Sequence, residues 1–557
     1  MSRSLKRMGS ADDVEVVVQC IGKSMSGEKF AQIKIEAFSE EHVAAFSVGQ
    51  LGSGEPREFF EWIEEKGVPA SKQERATLKT DLSVQLKKSL RSHVEGQRPY
   101  AVVVDRRGWH GDVFATKYAV HGPKGRPTIT AAKLKLLEDE AQSAVPIESV
   151  RAFYKEFGHN SSLFKVVAAI GFLPPLLSIM KDCPQPFFLL VGEPHMGKSS
   201  LVASAASPWG GASDGVLGFV SSMSGTEFKI EKQASEHRDI LFPLDDVQNL
   251  VPDPTKRALS LQDICMRICT GRTRANAHTD GVDYRTVVLG ASNDTMATMM
   301  LAGGITYSEA LRDRVIELPC HYEHGIFSWL PAGEDGEGRV RAMKAAAIAN
   351  RAAPGEHFVK KLIRQNSKTP KSLRRRLEGW RAMARGELDP RASPRTVDAF
   401  ACAFAAGCLA HEYGILPWEP ERLLGAVKRI FQEHVRFTVG ELEKLDPIKQ
   451  LKSFLKKNKQ RIAVFNSGAK QTVKKSFLQK AAAIEYRTTD GRVELCLLSR
   501  HMRNVFEDNG ELAHALKTLK AKRLLKVDQD GKMKKRKFGD WRPHVYSFDA
   551  KLLKKAS

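Results

Sequence analysis

The 557-residue sequence predicts an α/β fold: a parallel-sheet core with an α+β segment before it, and a helical region and a small basic domain after it. Three observations predict this. The apolar run "PFFLLVG" leads through a glycine-bearing loop into a helix start, "KSSLVASAAS", the order expected of a buried parallel strand. Two later apolar runs, "DILFPLDD" and "TVVLGASND", each finish in acidic or amide residues. Charge is unevenly spread: the formal net charge is +22, yet Glu441 to Ser557 alone hold 29 Lys/Arg against 13 Asp/Glu.

The first segment, 1–128, mixes strands and helices. "VEVVVQCIG" and "KFAQIKIEAF" alternate apolar and polar residues around "KSMSGE", which predicts a hairpin. "EPREFFEWIEEKG" and "ERATLKTDLSVQLKKSLRSH" have helical apolar spacing, and "YAVVVDRRGWHGDVFATKYAVHG" reads as strand, turn, strand. "GPKGRP" marks a boundary. The core domain, 129–335, is helical before its first strand and closes at the loop "PAGEDGEG"; 336–438 is a helical lid region interrupted near "ELDPRASPRT". The last segment, 439–557, ends in a helix and a hairpin with basic residues expected at its tip, a winged-helix-like order.

"GEPHMGKSS", Gly192 to Ser200, fits G-x-x-x-x-G-K-S. This P-loop pattern lets backbone N–H groups curl around phosphate oxygens, puts lysine on the β/γ-phosphates and serine on Mg²⁺. Gly192, Glu193, Pro194, His195, Met196, Gly197, Lys198, Ser199 and Ser200 are therefore the candidate ATP cradle. Hydrolysis also needs an acidic element at the end of another buried strand. "DILFPLDDVQNL" supplies it 47 residues after Lys198, with Asp245 expected in the Mg²⁺ shell beside Ser199 and Asp246 polarising water. Pro243 within that run is a poor fit for a central strand. "TVVLGASND" ends in Asn293, an amide expected beside the γ-phosphate.

Further on, "SEALRDRVIELP" sets Arg312 and Arg314 before another strand, where ring ATPases carry an arginine finger that reaches a neighbour's nucleotide; Arg314 is favoured and Arg312 held in reserve. "CTGRTRANAHTDGVDYRT" predicts a basic hairpin whose Arg272, Arg274, His278 and Arg285 would grip DNA phosphates without regard to sequence. Lys532, Lys534, Lys535, Arg536 and Lys537 make a second DNA-binding cluster in the tail.

"GWHGDVF" at Gly108–Phe114, "GKSSLVASAASPWG", "LDDVQ", "TGRTRAN" and "AFAAGCLAHEYGI" resemble the domain of unknown function 927 family, carried mainly by phages, plasmids and other mobile elements. The resemblance spans roughly residues 15–435. Some relatives are self-loading, ring-forming helicases of chromosome cassettes, akin to minichromosome-maintenance proteins. The resemblance thus implies a P-loop core of AAA+ or superfamily-three type. The family more often has Ser-x-x-Gly-Lys-Thr and an Asp-Glu pair, where this chain has "HMGKS" and Asp245-Asp246. Superfamily-three helicases tolerate paired aspartates, so hydrolysis is still expected.

With 42% hydrophobic and 27% charged residues the composition is that of a soluble protein. No secretory signal opens the chain, and "VVAAIGFLPPLLSIM" is short and broken by Pro174-Pro175, so a cytoplasmic protein without membrane partners is expected. The eight cysteines form no C-x-x-C, and Cys265 and Cys269 read as buried thiols. Together these features predict a DNA-dependent ATP hydrolase, a hexameric replicative helicase acting on single-stranded or forked DNA. The alternatives are a regulatory AAA+ ATPase of transposition or phage defence, and a nucleotide-gated DNA-binding protein.

Overall fold

The computed structural model describes residues 4–6, 13–37, 40–52, 56–67, 71–96, 98–131, 134, 136, 145–180, 182–210, 221–222, 226–274, 283–468, 474–506, 509–527 and 533–549. In the N-terminal part the alternating residues do form a hairpin: Asp13–Lys23 pairs antiparallel with Lys29–Ala37, and Glu40–Ser47 extends the sheet. On the other side Ala101–Val104 and Thr128–Thr130 add in parallel. Helix Lys72–Val94 starts at a capping box between Ser71 and Glu74. Its Leu78, Leu82 and Leu86, one turn apart, are buried with the sheet's apolar residues.

The "GWHG" turn ties this part to the rest. Gly108 takes φ 87°, and any Cβ there would lie 2.4 Å from the Arg238 carbonyl oxygen. The Trp109 backbone N–H donates to Asp239 Oδ2 at 3.1 Å, and its indole N–H to the Pro175 carbonyl at 2.9 Å. The buried indole thereby joins the largest apolar core of the molecule.

At the centre lies a five-stranded sheet, all of whose pairings are parallel. We number its strands β1 (Phe187–Val191), β2 (Ser221–Ser222), β3 (Leu241–Asp245), β4 (Val287–Ser292) and β5 (Val315–Pro319). Their spatial order is β2-β3-β4-β1-β5. β1, β4 and β5 are buried along their whole length, as strands covered on both faces must be. Pro243 is accommodated because β2, among the described residues, pairs only with Leu244 and Asp245. Among the described residues Pro243 faces one neighbouring strand, β4, so a residue without an N–H is tolerated.

One face of the sheet is packed by helices from distant parts of the chain. Ser162–Gly171 is buried from Leu163 onward, and in Pro394–Glu412 every residue from 399 to 410 is buried. Phe400 meets Phe188 of β1 edge-to-face, ring centroids 5.8 Å apart. "ELDPRASPRT" separates Pro370–Glu387 from Pro394–Glu412 as expected. Helix Pro420–Leu445 runs continuously across residues 438 and 439, so the expected boundary there falls inside a helix. Among the described residues no helix is long and apolar enough to cross a membrane.

The C-terminal part has its own apolar cores and a mixed sheet ordered Ile462–Asn466, Ala483–Arg487, Val493–Leu498, His544–Asp549, Leu525–Lys526. Helix Asn509–Ala521 precedes a hairpin in which Lys534–Lys535 pairs with His544 and Val545. Two differences from the expectation emerge. The sheet contains a parallel pair, Ile462–Asn466 with Ala483–Arg487, beyond any two-stranded wing. The hairpin closes between Phe538 and Trp541, so Lys534 and Lys535 lie on its strand and not at its tip.

Candidate functional site

Parallel strands put all their C-terminal ends on one side. There the ends of β1, β3 and β4 line a cavity of about 520 Å³, within the size range of small-molecule sites. Two glycines shape the loop between β1 and helix α1 (Lys198–Ala206). A Cβ at Gly192 would lie 2.4 Å from the Cys320 carbonyl oxygen. Gly197 has φ 84°, a left-handed backbone that opens the helix, and a Cβ there would lie 2.7 Å from Val340. His195 also takes a left-handed conformation, φ 63°, uncommon for a non-glycine residue. The loop thus presents backbone and the N-terminus of α1 to the cavity, an arrangement that favours anions.

Lys198 is buried, and three acceptors hold its ammonium: the carbonyls of Gly192 at 2.9 Å and Glu193 at 2.5 Å, and Asn293 Oδ1 at 3.0 Å. Burial pushes its pKa down, opposed by the charges of Asp245 and Asp246. Ser199 donates its hydroxyl to Asp245 Oδ1 at 2.8 Å, and the Asp246 backbone N–H donates to the same oxygen at 3.0 Å. Burial pushes the Asp245 carboxyl up, with those two hydrogen bonds opposing. Asp246 itself takes φ 53°, which turns the chain out of β3.

Gln248, two residues beyond the acidic pair, was not singled out in the sequence. Its side-chain amide donates to Asp246 Oδ1 at 3.1 Å and accepts the Asn293 backbone N–H at 3.2 Å, joining the ends of β3 and β4. Glu337 and Val340 also line the cavity, from helix Gly336–Ala349. Nothing in their residue types marks them. Only the fold brings that helix over the loop.

The remaining expected residues lie elsewhere. The Arg314 carbonyl accepts the backbone N–H of Phe187, at the start of β1, so Arg314 sits at the end of the sheet away from the cavity. Its guanidinium donates to the Ala310 carbonyl, and Arg312 donates to the Tyr307 carbonyl and lies over the Tyr307 ring. Arg285 and Arg272 are exposed, Arg272 beside Asp283 at 3.7 Å. Arg274 is ion-paired with Glu227, Glu231 and Asp263, so its charge is taken up within the protein. Arg536 is bound by Glu494 and stacks on Tyr486, while Lys534 lies 3.7 Å from the same carboxylate. Lys535 and Lys537 are exposed. His278 and Lys532 lie outside the described residues.

Residues 53–286 match the family model described as a domain of unknown function, DUF927. That stretch is similar to a DUF927 domain. It takes in the "GWHG" turn, the glycine loop and the acidic pair, and stops just before β4. Asn293, Arg312 and Arg314 therefore lie beyond the DUF927 match, which is narrower than the resemblance read from the sequence. A solved structure described as "SCCmec type IV Cch - active helicase" superimposes with a TM-score of 0.57 over 99% of this chain and 97% of that one, at 13% identity. The chain thus shares a fold with that protein from end to end. No curated protein matches the chain.

Proposed function

We propose that the chain is a DNA-dependent ATPase with a P-loop core of AAA+ type and a winged-helix-like tail, which assembles into a hexameric ring as the replicative helicase of a mobile element. One observation carries this reading. Lys198, Ser199, Asp245, Asp246 and Asn293 come from three separate strand ends, yet line a single cavity. The fold shared with a structure described as an active helicase supports the same reading.

ATP and Mg²⁺ fit the residues present. Ser199 and Asp245 offer two hard oxygens 2.8 Å apart, and Mg²⁺ characteristically takes one or two carboxylates and completes its shell with phosphates and water. Bound there, Mg²⁺ would neutralise charge on the β- and γ-phosphate oxygens. Lys198 would exchange its carbonyl partners for phosphate oxygens, and Asn293, now holding that ammonium, would be released toward the γ-phosphate. Asp246 orients the attacking water, and Gln248 fixes the carboxylate that does so. Arg314 is separated from its own cavity by the length of β1, five residues or roughly 16 Å. It would act on the nucleotide of a neighbouring subunit.

Strand displacement on a forked duplex, with full-length protein, ATP and Mg²⁺, tests the proposal. Unwinding is expected. Turnover without unwinding would replace it with a regulatory ATPase, and DNA binding without turnover with a nucleotide-gated binder.

A further inference from the structure

At the end of the sheet opposite the nucleotide cavity, four arginines from three parts of the chain converge. Arg238 lies three residues before β3, and Arg285 two residues before β4. The two approaches are stitched together: the Asp239 backbone N–H donates to the Arg285 carbonyl at 2.6 Å, and the Arg238 guanidinium donates to the Asp283 carbonyl at 3.2 Å. Arg272 bridges antiparallel to Asp283. Arg106 comes from the turn before "GWHG", which is seated on this place by the Trp109–Asp239 hydrogen bond and by the close approach of Gly108 to Arg238.

Three carboxylates stand beside the four arginines, one fewer than the charges they face. Asp105, Asp239 and Asp283 each approach one arginine. Asp239, however, is almost fully buried, and burial pushes its pKa up although Arg238, Arg285 and Arg106 all favour its ionised form. Arg238 in turn is pushed down, first by burial and then by Arg106. Holding like charges together at the edge of a folded domain is costly unless an anion relieves it. All four are arginines, whose planar forks match phosphate oxygens. Arg285 and Arg272 are exposed, and Arg106 and Arg238 are half-buried beside them.

We propose that Arg106, Arg238, Arg272 and Arg285 form one phosphate-binding track for single-stranded DNA, to which the "GWHG" turn contributes directly. This rests on the reading of the chain as a DNA-dependent ATPase, and adds Arg106 and Arg238 to its contacts. The track has a mechanical consequence. β3 and β4 carry it at one end and Asp245, Asp246 and Asn293 at the other, so strand contact and nucleotide state share two rigid elements.

The test is the salt dependence of binding to a labelled oligo-dT strand, measured by fluorescence anisotropy with the full chain. Arg106→Gln, Arg238→Gln and Arg285→Gln are compared with Arg57→Gln, an exposed arginine of the N-terminal part paired with Glu61. Each lost contact with a single strand should flatten the slope of log K against log salt by roughly 0.7 and weaken binding, while Arg57→Gln keeps the wild-type line. Thermal melts establish that each variant is folded. Should the half-buried Arg238 variant fail to fold, the Arg106 and Arg285 variants still decide. Wild-type slopes and affinities in folded variants would overturn the track and leave the ATPase reading standing. A loss seen only with an acidic peptide, and not with oligo-dT, would overturn it as well. A wild type that shows no salt-dependent binding to oligo-dT would bring down both.

Discussion

At Lys198 a single substitution separates binding from architecture. Lys198→Ala removes the ammonium proposed to meet the transferred phosphate and should abolish most ATP turnover, measured by phosphate release, without lowering the melting temperature much. Asp246→Asn should retain nucleotide and stop hydrolysis. Gln248→Ala should fall between: it leaves the residues proposed to contact phosphate in place but frees the Asp246 carboxylate, so kcat should drop by roughly ten- to a hundredfold with little change in KM. Glu317, on β5, gives a pH prediction. Burial raises its carboxyl from 4.5 to about 7, against the hydrogen bond from the Met296 N–H, with Glu441 adding to the rise. It is therefore protonated in the fold while ionised in the unfolded chain. Its share of stability, on the order of 3 kcal/mol, is complete below pH 4.5 and lost as pH rises through 7. Melting curves of Glu317→Gln across that window should lack this loss; a parallel decline in both proteins would show that Glu317 is not its source. The glycine loop and the acidic pair at the strand ends were legible from their residue patterns, and the fold brings them to one cavity. Arg274 and Arg536 were not: their carboxylate partners lie 11 to 47 residues away for Arg274, and 42 for Arg536, and only folding brings them together.

Among the elements, the loop before α1 is the most constrained. Gly197→Ala would place an L-residue at φ 84° with its Cβ 2.7 Å from Val340. A cost of about 1–2 kcal/mol would fall on the binding-competent loop, lowering ATP affinity roughly tenfold, readable by fluorescent-nucleotide titration. Unchanged affinity would mean that this conformation is not the one that binds. The strands were legible from their apolar runs, and so was the N-terminal hairpin from its alternation. The helix carrying Glu337 and Val340 was readable as a helix, but its position over the cavity was not. That position depends on core packing, in which Val340 and Ile326 press on Gly197, and no local pattern encodes such a contact. The tail shows the same division. Its final helix and hairpin were readable, whereas the parallel pairing of Ile462–Asn466 with Ala483–Arg487 joins segments whose register only the assembled core fixes.

For the molecule as a whole, two experiments address assembly and partners. Removing the chain after Leu445, where the long helix ends, deletes a part with its own apolar cores. The truncated protein should keep basal turnover but bind DNA more weakly, with a flatter salt dependence; identical slopes would exclude the tail from the DNA interface. Arg314→Ala should bind ATP and hydrolyse it roughly a thousandfold more slowly, as the proposed finger role requires. Mixed with Asp246→Asn subunits it should recover activity at hybrid interfaces, and no recovery would argue against a ring in which Arg314 acts across subunits. The most direct measurement is ATP turnover by the full-length protein, with Mg²⁺, in the presence and absence of single-stranded DNA. Mg²⁺-dependent hydrolysis that DNA accelerates and Lys198→Ala abolishes is expected. No hydrolysis under any of these conditions, or hydrolysis undiminished in Lys198→Ala, would contradict it.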